Sequence, residues 1–326
     1  MTRRVAPALG LFFLAPLVAE FLLGNLPIVL LPAVLALAPM YGGGALLIRE
    51  LVRRRGLGWA NIVILGLAYA VLEEGLTTQS LFNPNYAGEH LLIDGFVPAL
   101  GIAVPWTIYV LGLHVFWSVS ASILMAESLA GPRRTTPWLG RAGLIVTGVL
   151  FALGIVITTV TNMQLWPYTS TPAQFAGAGV VVVLLVVAGL TLRVRMRPRP
   201  GTAPGPLAVL IVTLVAGAVF QGLTIDALEV PAWVGVAVWV ADIAGYLTLV
   251  ALWSARAGWD ARHYLAIGTG ALLTYAWHSF VETPTGGAAL AIDLIGNVVF
   301  TAGALALIVW SASRLGIRTP VELRRV

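Results

Sequence analysis

Long apolar runs alternate with short polar segments along the whole chain. Helices of roughly 20 residues cross the hydrocarbon of a bilayer, and a helix satisfies its own backbone hydrogen bonds in lipid. The pattern therefore predicts an all-α, polytopic helical membrane protein with about ten transmembrane helices. The predicted spans are 5–24, 27–48, 59–80, 100–128, 142–163, 173–192, 206–224, 231–254, 263–281 and 287–312.

The charges support this count of spans. All 19 basic residues are arginines, and with the N-terminus inside they fall on one side of the membrane, as the positive-inside rule requires. Both termini are then cytoplasmic, and the predicted location is the cytoplasmic (inner) membrane of a bacterium. Only 10% of the 326 residues are charged, whereas a soluble domain has about 25%.

Composition also excludes several classes of function. Arginine-rich loops face the anionic inner leaflet, so membrane lipids, and not nucleic acid, are the predicted partners. The chain has no cysteine, which excludes disulfides, thiolate metal sites and thiol nucleophiles. It also lacks a phosphate-binding loop, a G-x-S-x-G elbow and an H-E-x-x-H motif, so ATP-driven transport and the commonest hydrolases are not indicated.

A weak internal repeat divides the chain. The segment "EGLTTQSLFNP" at 74–84 aligns without gaps with "QGLTIDALEVP" at 221–231. Chance similarity among Ala-, Leu- and Gly-rich helices is the alternative, but spans 3–6 and 7–10 would form parallel repeats of the kind found in transporters. The predicted divisions are two N-terminal helices in 1–58, a first repeat in 59–193, an Arg/Pro-rich cytoplasmic linker in 194–205, and a second repeat with a cytoplasmic tail in 206–326.

Two adjacent glutamates, Glu73 and Glu74, interrupt the apolar third span. An ionised carboxylate in hydrocarbon is costly, so such a pair should line a polar cavity or contact a partner. In the predicted orientation both lie near the outer boundary of the membrane. Because neighbouring side chains on an α-helix do not face the same direction, we expect one carboxylate to face the cavity and the other an adjacent helix.

Other polar side chains within the spans predict a single cavity, open towards the outside above an apolar inner half. His114 and His278 lie on different helices and could share a proton with Glu73 or Glu74, which makes these four the candidate catalytic residues. A glutamate–histidine ligand set with a water would also suit zinc, so a divalent metal is compatible with the site but not required. The candidate binding residues are Glu20, Gln79, Asp242, Glu282, Asp293 and Asn297.

Each candidate also has a purely structural interpretation. The glutamate pair could contact water or loop amides at a helix end. His114 could bond a backbone carbonyl, and His278 could lie at the membrane interface. Asp242 and Asp293 could join helices by hydrogen bonds.

Three further expectations concern residues near the ends of the spans. Glu20 could pair with Asn25 at the surface. We expect His90 and His263 to be solvated. The segment "YGGG" at 41–44 predicts a close contact between helices, because no strand precedes it as a phosphate loop would require.

Two adjacent glutamates on one span and a histidine on the next resemble the CPBP family, which comprises the Abi and type II CAAX-processing intramembrane proteases. The resemblance implies a glutamate-activated water that attacks a peptide bond, with histidines stabilising the oxyanion. Glu73 and Glu74 match the paired glutamates and His114 the first histidine. His278 and Asn297 match the later positions only loosely.

The chain departs from the family pattern at three points. Thr78 stands where the family has an arginine, and Val110 where it has a phenylalanine. His278 lies about three spans further along the chain than the family's second histidine.

Two functions therefore fit the sequence. One is an intramembrane protease or hydrolase that acts on a membrane-embedded peptide or lipid, with the glutamate pair as the base. The other is a proton-coupled small-molecule transporter or permease, indicated by the ten spans, the repeat and the acids within the membrane. A non-catalytic membrane subunit and a lipid- or prenyl-modifying enzyme are further alternatives.

Overall fold

The computed structural model describes residues 2–194, 196–225 and 228–317. Long helices follow one another in the order that the apolar runs predict. They are α1 (Thr2–Pro16, continued by Leu17–Leu22), α2 (Ile28–Ala33, continued by Val34–Arg54), α3 (Trp59–Val71, continued by Leu72–Thr77), α4 (Val104–Gly112, Leu113–Ala121 and Ser122–Leu129), α5 (Arg141–Leu165), α6 (Pro172–Thr191), α7 (Pro206–Gly222), α8 (Ala232–Ser254), α9 (Ala261–His278) and α10 (Leu290–Arg314).

The prediction of an all-α, polytopic membrane protein is confirmed. Among the described residues, eight of the helices are long and apolar enough to cross a membrane. Helix α7 is apolar but has only 17 residues. Helix α9 is less apolar because it starts with Arg262 and His263 and ends in His278.

Short elements connect the helices. The segment between α3 and α4 contains the 3-10 turn Tyr86–Gly88 and a small antiparallel pair, β1 (Phe96–Val97) and β2 (Ile102–Ala103), in which Phe96 lies opposite Ala103. The alternation of apolar runs does not predict these two strands. A 3-10 turn, Gly131–Arg133, lies between α4 and α5.

Helices α3 and α4 form the centre of the bundle. Most of the residues in their apolar stretches are buried by other helices, whereas α5, α6, α8 and α10 bury fewer than a fifth of theirs. Exposed apolar side chains are what lipid contact requires. Polar side chains on α3 and α4 are therefore shielded from lipid by the outer helices.

The glycines at 42–44 allow α1, α2 and α3 to approach closely. A Cβ atom on Gly42 would lie 1.8 Å from the carbonyl oxygen of Phe12, and one on Gly44 would lie 2.5 Å from the ring of Tyr69. The predicted close helix contact is thus confirmed. It brings Tyr41, next to these glycines, against the side chains of α3.

Buried ion pairs join the arginine-rich end of α2 to the end of α4. The Arg49 side chain is fully buried, 2.6 Å from Glu50 and 3.0 Å from Glu127. Its guanidinium carbon lies 3.2 Å from the centre of the Trp138 ring, a cation–π contact. Arg53 adds a second contact with Glu127, at 2.7 Å, so charge holds α4 onto α2. Arg49 also donates to the carbonyl oxygens of Arg134 and Thr136 in the loop before α5.

The prediction that His263 is solvated is wrong. Its side chain is buried and stacks on Trp259, with ring centres 4.6 Å apart. Nδ1 lies 3.0 Å from Asp260 and Nε2 lies 3.0 Å from the carbonyl oxygen of Pro204. The imidazole joins the start of α9 to the segment before α7, which removes it from water. His90 is exposed, as predicted.

Candidate functional site

A buried cluster of two carboxylates and one imidazole forms the centre of the site. Glu74 Oε1 lies 2.7 Å from His114 Nε2, and Glu73 Oε2 lies 3.2 Å from His114 Nδ1. All three side chains are almost completely inaccessible. The two glutamates therefore contact opposite nitrogens of one ring, within the part of the bundle that is best shielded from lipid.

The expectation that the two carboxylates diverge is wrong. Leu72–Thr77 is π-helical, and so is Leu113–Ala121, which carries His114. A π-helix closes its hydrogen bonds over five residues instead of four, so its turn is wider and successive side chains diverge less. Both carboxylates can then reach the same imidazole. Such turns are rare and occur frequently at functional sites.

Residues just after the end of α3 donate hydrogen bonds to one of the two carboxylates. Glu74 Oε2 accepts a hydrogen bond from Thr78 at 3.0 Å and a second, short one from Ser80. The indole nitrogen of Trp106 lies 3.4 Å from the Ser80 hydroxyl. With His114 on its other oxygen, Glu74 is held firmly in place. Thr78 is one of the positions at which the chain departs from the CPBP pattern. Its neutral hydroxyl donates to this carboxylate.

Glu73 differs from its neighbour in its hydrogen bonding. Among the described residues no hydrogen bond of ordinary geometry reaches its buried Oε2 atom, which lies 3.2 Å from His114 Nδ1. The Tyr69 hydroxyl is also buried and lies close to the Glu73 carboxylate. A buried carboxylate oxygen that no donor satisfies is expensive to maintain. It is the atom of the cluster best placed to accept a proton from a water or a substrate.

Two tyrosine rings enclose the imidazole. The Tyr41 ring is stacked on His114 with centres 6.0 Å apart, and the Tyr69 ring meets it edge-on at 5.8 Å. Aromatic walls of this kind keep water away and strengthen the electrostatic interactions within the cluster. The imidazole is therefore fixed both by its carboxylates and by the rings beside it.

Glu20 links the cluster to the surface. The Tyr41 hydroxyl donates to Glu20 Oε1 at 2.5 Å, and Asn25 donates to Glu20 Oε2 at 2.5 Å. Glu20 is half-buried and also lies on a π-helical segment, Leu17–Leu22. Thr285 donates to Asn25 at 2.7 Å, so the loop before α10 supports this arrangement. The predicted Glu20–Asn25 pair is present, with Tyr41 as an additional donor.

The cluster offers enough ligand atoms for a metal ion. One atom each from Glu73, Glu74 and His114 lies within 4.8 Å of the other two. Carboxylate oxygens and an imidazole nitrogen suit zinc. However, Glu74 and His114 are already hydrogen-bonded to each other, and so a metal would have to separate them. The arrangement as it stands is that of a proton-sharing group.

The structure divides the other candidate residues between two places instead of one shared cavity. His278 Nε2 lies 2.9 Å from Glu282 Oε2 and forms a second polar cluster at the end of α9. Asn297 donates to the carbonyl oxygen of Ser279 at 2.8 Å, which ties α10 to that cluster. His278 is buried, so its side chain does not reach the surface of the bundle. It does not join the metal-compatible group of Glu73, Glu74 and His114.

The remaining three candidates lie outside both clusters. Gln79 accepts a hydrogen bond from the backbone of Ser170 at 2.7 Å and has a positive φ of 59°. It therefore anchors the loop before α6 in a backbone conformation that few residues other than glycine adopt. Asp242 lines an apolar pocket beside α8. Asp293 is half-buried on α10.

Sequence reasoning missed several residues of the centre. Tyr41, Tyr69 and Ser80 all contact or enclose it, but each looks like an ordinary helix or loop residue. One signal points to Tyr41, because the glycines that follow it predict a close approach to another helix. For the other two, the contacts depend on packing between distant segments.

One comparison with known proteins covers almost the whole chain. A family model with the description "Uncharacterized membrane protein family" matches residues 9–318. No curated protein matches the chain, and no solved structure does. The similarity to CPBP proteases thus stays a resemblance between a few residues.

Proposed function

The chain belongs to that uncharacterized membrane protein family, and from this premise we propose that it is an intramembrane hydrolase whose catalytic centre is Glu73, Glu74 and His114. The observation that carries the proposal is the asymmetry of the two carboxylates. Glu74 has a partner on each oxygen, whereas Glu73 Oε2 is buried without a hydrogen bond. One carboxylate positions the imidazole, and the other is free to react.

In the proposed reaction Glu73 is the general base. It removes a proton from a water molecule while the water oxygen attacks the carbonyl carbon of the substrate. His114 keeps its contact with Glu74 through Nε2, while its Nδ1–H, 3.2 Å from Glu73 in the free protein, turns to the substrate carbonyl oxygen and stabilises the negative charge that develops there. As the tetrahedral intermediate collapses, Glu73 returns its proton to the leaving amine, which completes the hydrolysis of a peptide bond.

The position of the centre supports a membrane-embedded substrate. Glu73, Glu74 and His114 lie on α3 and α4, the helices most enclosed by others, and on segments that are apolar enough to cross a membrane. A soluble substrate would have to displace lipid-facing helices to reach them. A peptide segment that already lies in the bilayer is thus the substrate class that we propose.

The test measures cleavage of a panel of membrane-embedded peptides in proteoliposomes. We expect the wild-type protein to cleave at least one of them and Glu73→Gln to lose the activity while melting at an unchanged temperature. Glu89→Gln, a matched change in an exposed loop, should retain full activity. Cleavage that persists unchanged in Glu73→Gln would refute the proposal.

Proton-coupled transport is the second function that an observation favours. Tyr41 donates a hydrogen bond to the half-buried Glu20 at 2.5 Å, and its ring stacks on His114, so an ionisable group that water can reach lies one residue away from the buried cluster. Uptake of a substrate into proteoliposomes driven by a pH gradient would favour transport, particularly if the same vesicles cleave no peptide. Vesicles that stay impermeable to a broad substrate panel would count against it.

A further inference from the structure

A second site lies on the other side of α4 from the Glu–His centre. Helices α3, α4, α7, α8 and α9 enclose a pocket of about 160 Å³. Its wall is rich in aromatic rings: Trp59, Phe116, Trp117, Phe220, Tyr246 and Tyr264. None of its lining residues belongs to the Glu–His centre, because α4 points His114 towards α3 and its pocket-lining rings towards α7 and α8.

Asp242 provides a formal negative charge in this wall. Among the described residues that line the pocket there is no arginine, lysine or histidine, and no second acid. Within the same part of the chain Asp242 has neither an ion pair nor a hydrogen bond through its side chain, and it is half-buried. A carboxylate at mid-depth of a membrane helix usually has a partner, and here the described residues do not supply one.

Ser120 is a second polar group without a partner among the described residues. It lines the pocket, is only 8% exposed, and its hydroxyl makes no hydrogen bond. A short distance along the wall, Thr213 and Tyr246 satisfy each other, with their hydroxyl oxygens 3.0 Å apart. Two polar groups thus remain unsatisfied in a pocket that is otherwise apolar, which is the pattern of a small-molecule binding site.

From this arrangement we propose that the pocket binds a lipophilic organic cation: a molecule with one positive charge on an amine or quaternary ammonium group and an apolar or aromatic body. The Asp242 carboxylate would neutralise the charge, and the faces of the aromatic rings would attract it through cation–π interactions. An anionic lipid would be repelled by Asp242, and a neutral one would leave the carboxylate unpaired. This site is independent of the proposed hydrolase activity.

The first experiment uses two probes of similar size and opposite charge. Benzyltrimethylammonium and benzenesulfonate are titrated calorimetrically into the purified protein in detergent micelles, with empty micelles as the background. We expect saturable binding of the cation at one site and none of the anion. Equal binding of both probes, or binding of neither, would overturn the proposal.

Variants then assign the binding to this pocket. Asp242→Asn should weaken binding of the cation by about tenfold or more, because it removes the charge in a desolvated site, whereas Asp242→Glu should largely restore it. Asp94→Asn, a matched change in an exposed loop, should have no effect. If Asp242→Asn bound the cation as tightly as the wild-type protein while melting normally, the proposed site would be wrong.

Discussion

Two polar clusters lie among these helices, and they share part of their design. In each, a buried histidine holds a carboxylate on Nε2: His114 holds Glu74 at 2.7 Å, and His278 holds Glu282 at 2.9 Å. They differ at the other nitrogen. His114 Nδ1 faces Glu73 at 3.2 Å, whereas His278 Nδ1 is buried without a hydrogen bond.

The second internal segment has an amide where the first has a carboxylate. The alignment of the two internal segments places Gln221 opposite Glu74. Gln221 accepts a hydrogen bond from Tyr109 at 3.1 Å, while its buried Nε2 atom has no hydrogen-bond partner in the described part of the chain. An amide cannot take up a proton at ordinary pH. A buried histidine with one carboxylate is therefore not sufficient for the proposed chemistry. Among the described residues, His114 has two carboxylates on its ring, whereas His278 has one.

Packing explains why Gln221 and His278 lie at the same level. A Cβ atom on Gly217 would touch the side chain of Thr274, and one on Gly270 would touch Thr213. Helices α7 and α9 therefore run in the same direction with an offset of 57 residues between contacting positions, since 274 − 217 = 57 and 270 − 213 = 57. The same offset brings position 221 beside position 278.

The largest expected difference between the clusters concerns catalysis. His114→Gln should reduce peptide cleavage by about 10²- to 10⁴-fold, because it removes the proton-sharing imidazole from the proposed centre. His278→Gln should change the rate by less than about threefold, since that ring has only one carboxylate. Initial rates in proteoliposomes would measure both. An equal loss in the two variants would mean that the clusters act together.

A stability comparison comes next in size. Glu74→Met leaves His114, Thr78 and Ser80 without their common acceptor, and we expect the free energy of unfolding to fall by about 3–5 kcal/mol. Gln221→Met removes an unpaired amide nitrogen along with one accepted hydrogen bond, so its cost should be within about 1 kcal/mol. Thermal melting in the same detergent gives the order. A larger loss for Gln221→Met would contradict the assignment of Glu74 as the positioning residue.

Removal of single hydroxyl groups sharpens the comparison further. Tyr41→Phe deletes the donor to Glu20 and should destabilise the protein by about 1–2 kcal/mol. Tyr275→Phe deletes a buried hydroxyl that has no partner among the described residues beside the second cluster, and it should be neutral or slightly stabilising. Paired melting curves test this. Destabilisation of both variants by the same amount would show that the Tyr275 hydroxyl is satisfied.

The smallest expected effect is on the pH dependence of stability and concerns Asp260, at the start of α9, which lies outside both clusters. Burial raises the pKa of Asp260, but hydrogen bonds from the Arg262 backbone and from His263 outweigh it and hold the pKa below its usual value. A lowered pKa stabilises the fold above the ordinary pKa of aspartate, and this contribution is lost as the pH falls through the lowered value. Because the side chain is exposed, Asp260→Asn should cost less than about 0.5 kcal/mol at neutral pH.

Stability measured between about pH 7 and pH 3 would reveal this loss. The wild-type protein should become less stable than at neutral pH, and the difference from Asp260→Asn should disappear at the acid end. A variant that stays less stable by the same amount at every pH would show that Asp260 acts through its hydrogen bonds and not through its charge.

The helices and the core of the site can be predicted from the sequence because they depend on local signals. Apolar runs indicate spans whatever their neighbours are. Glu73, Glu74 and His114 are conspicuous because ionisable groups are rare in such runs. Since these residues lie at similar depth on consecutive helices, the order of the chain by itself favours a contact between them.

The finer geometry of the site depends on interactions that local patterns do not contain. The π-helical turn at Leu72–Thr77 leaves no mark in the hydrophobic periodicity, so the divergence expected for an α-helix is the natural but wrong prediction. The sequence groups His278 with Glu73, Glu74 and His114, but the structure places it beside Glu282. Similar depth in the membrane does not show which helices are in contact. Tyr69 is recognisable only through the packing of its ring, whose centre lies 5.8 Å from that of His114.

The extra residue in the π-helical turn also has a consequence for related chains. If Gly75 were deleted, the turn could relax to an ordinary α-helix, in which neighbouring side chains diverge by about 100°. Glu73 and Glu74 would then no longer reach the same imidazole, although no ionisable group had been altered. A homologue that keeps both glutamates and the histidine but is one residue shorter here would have the residues of the site without the geometry that the proposed reaction needs.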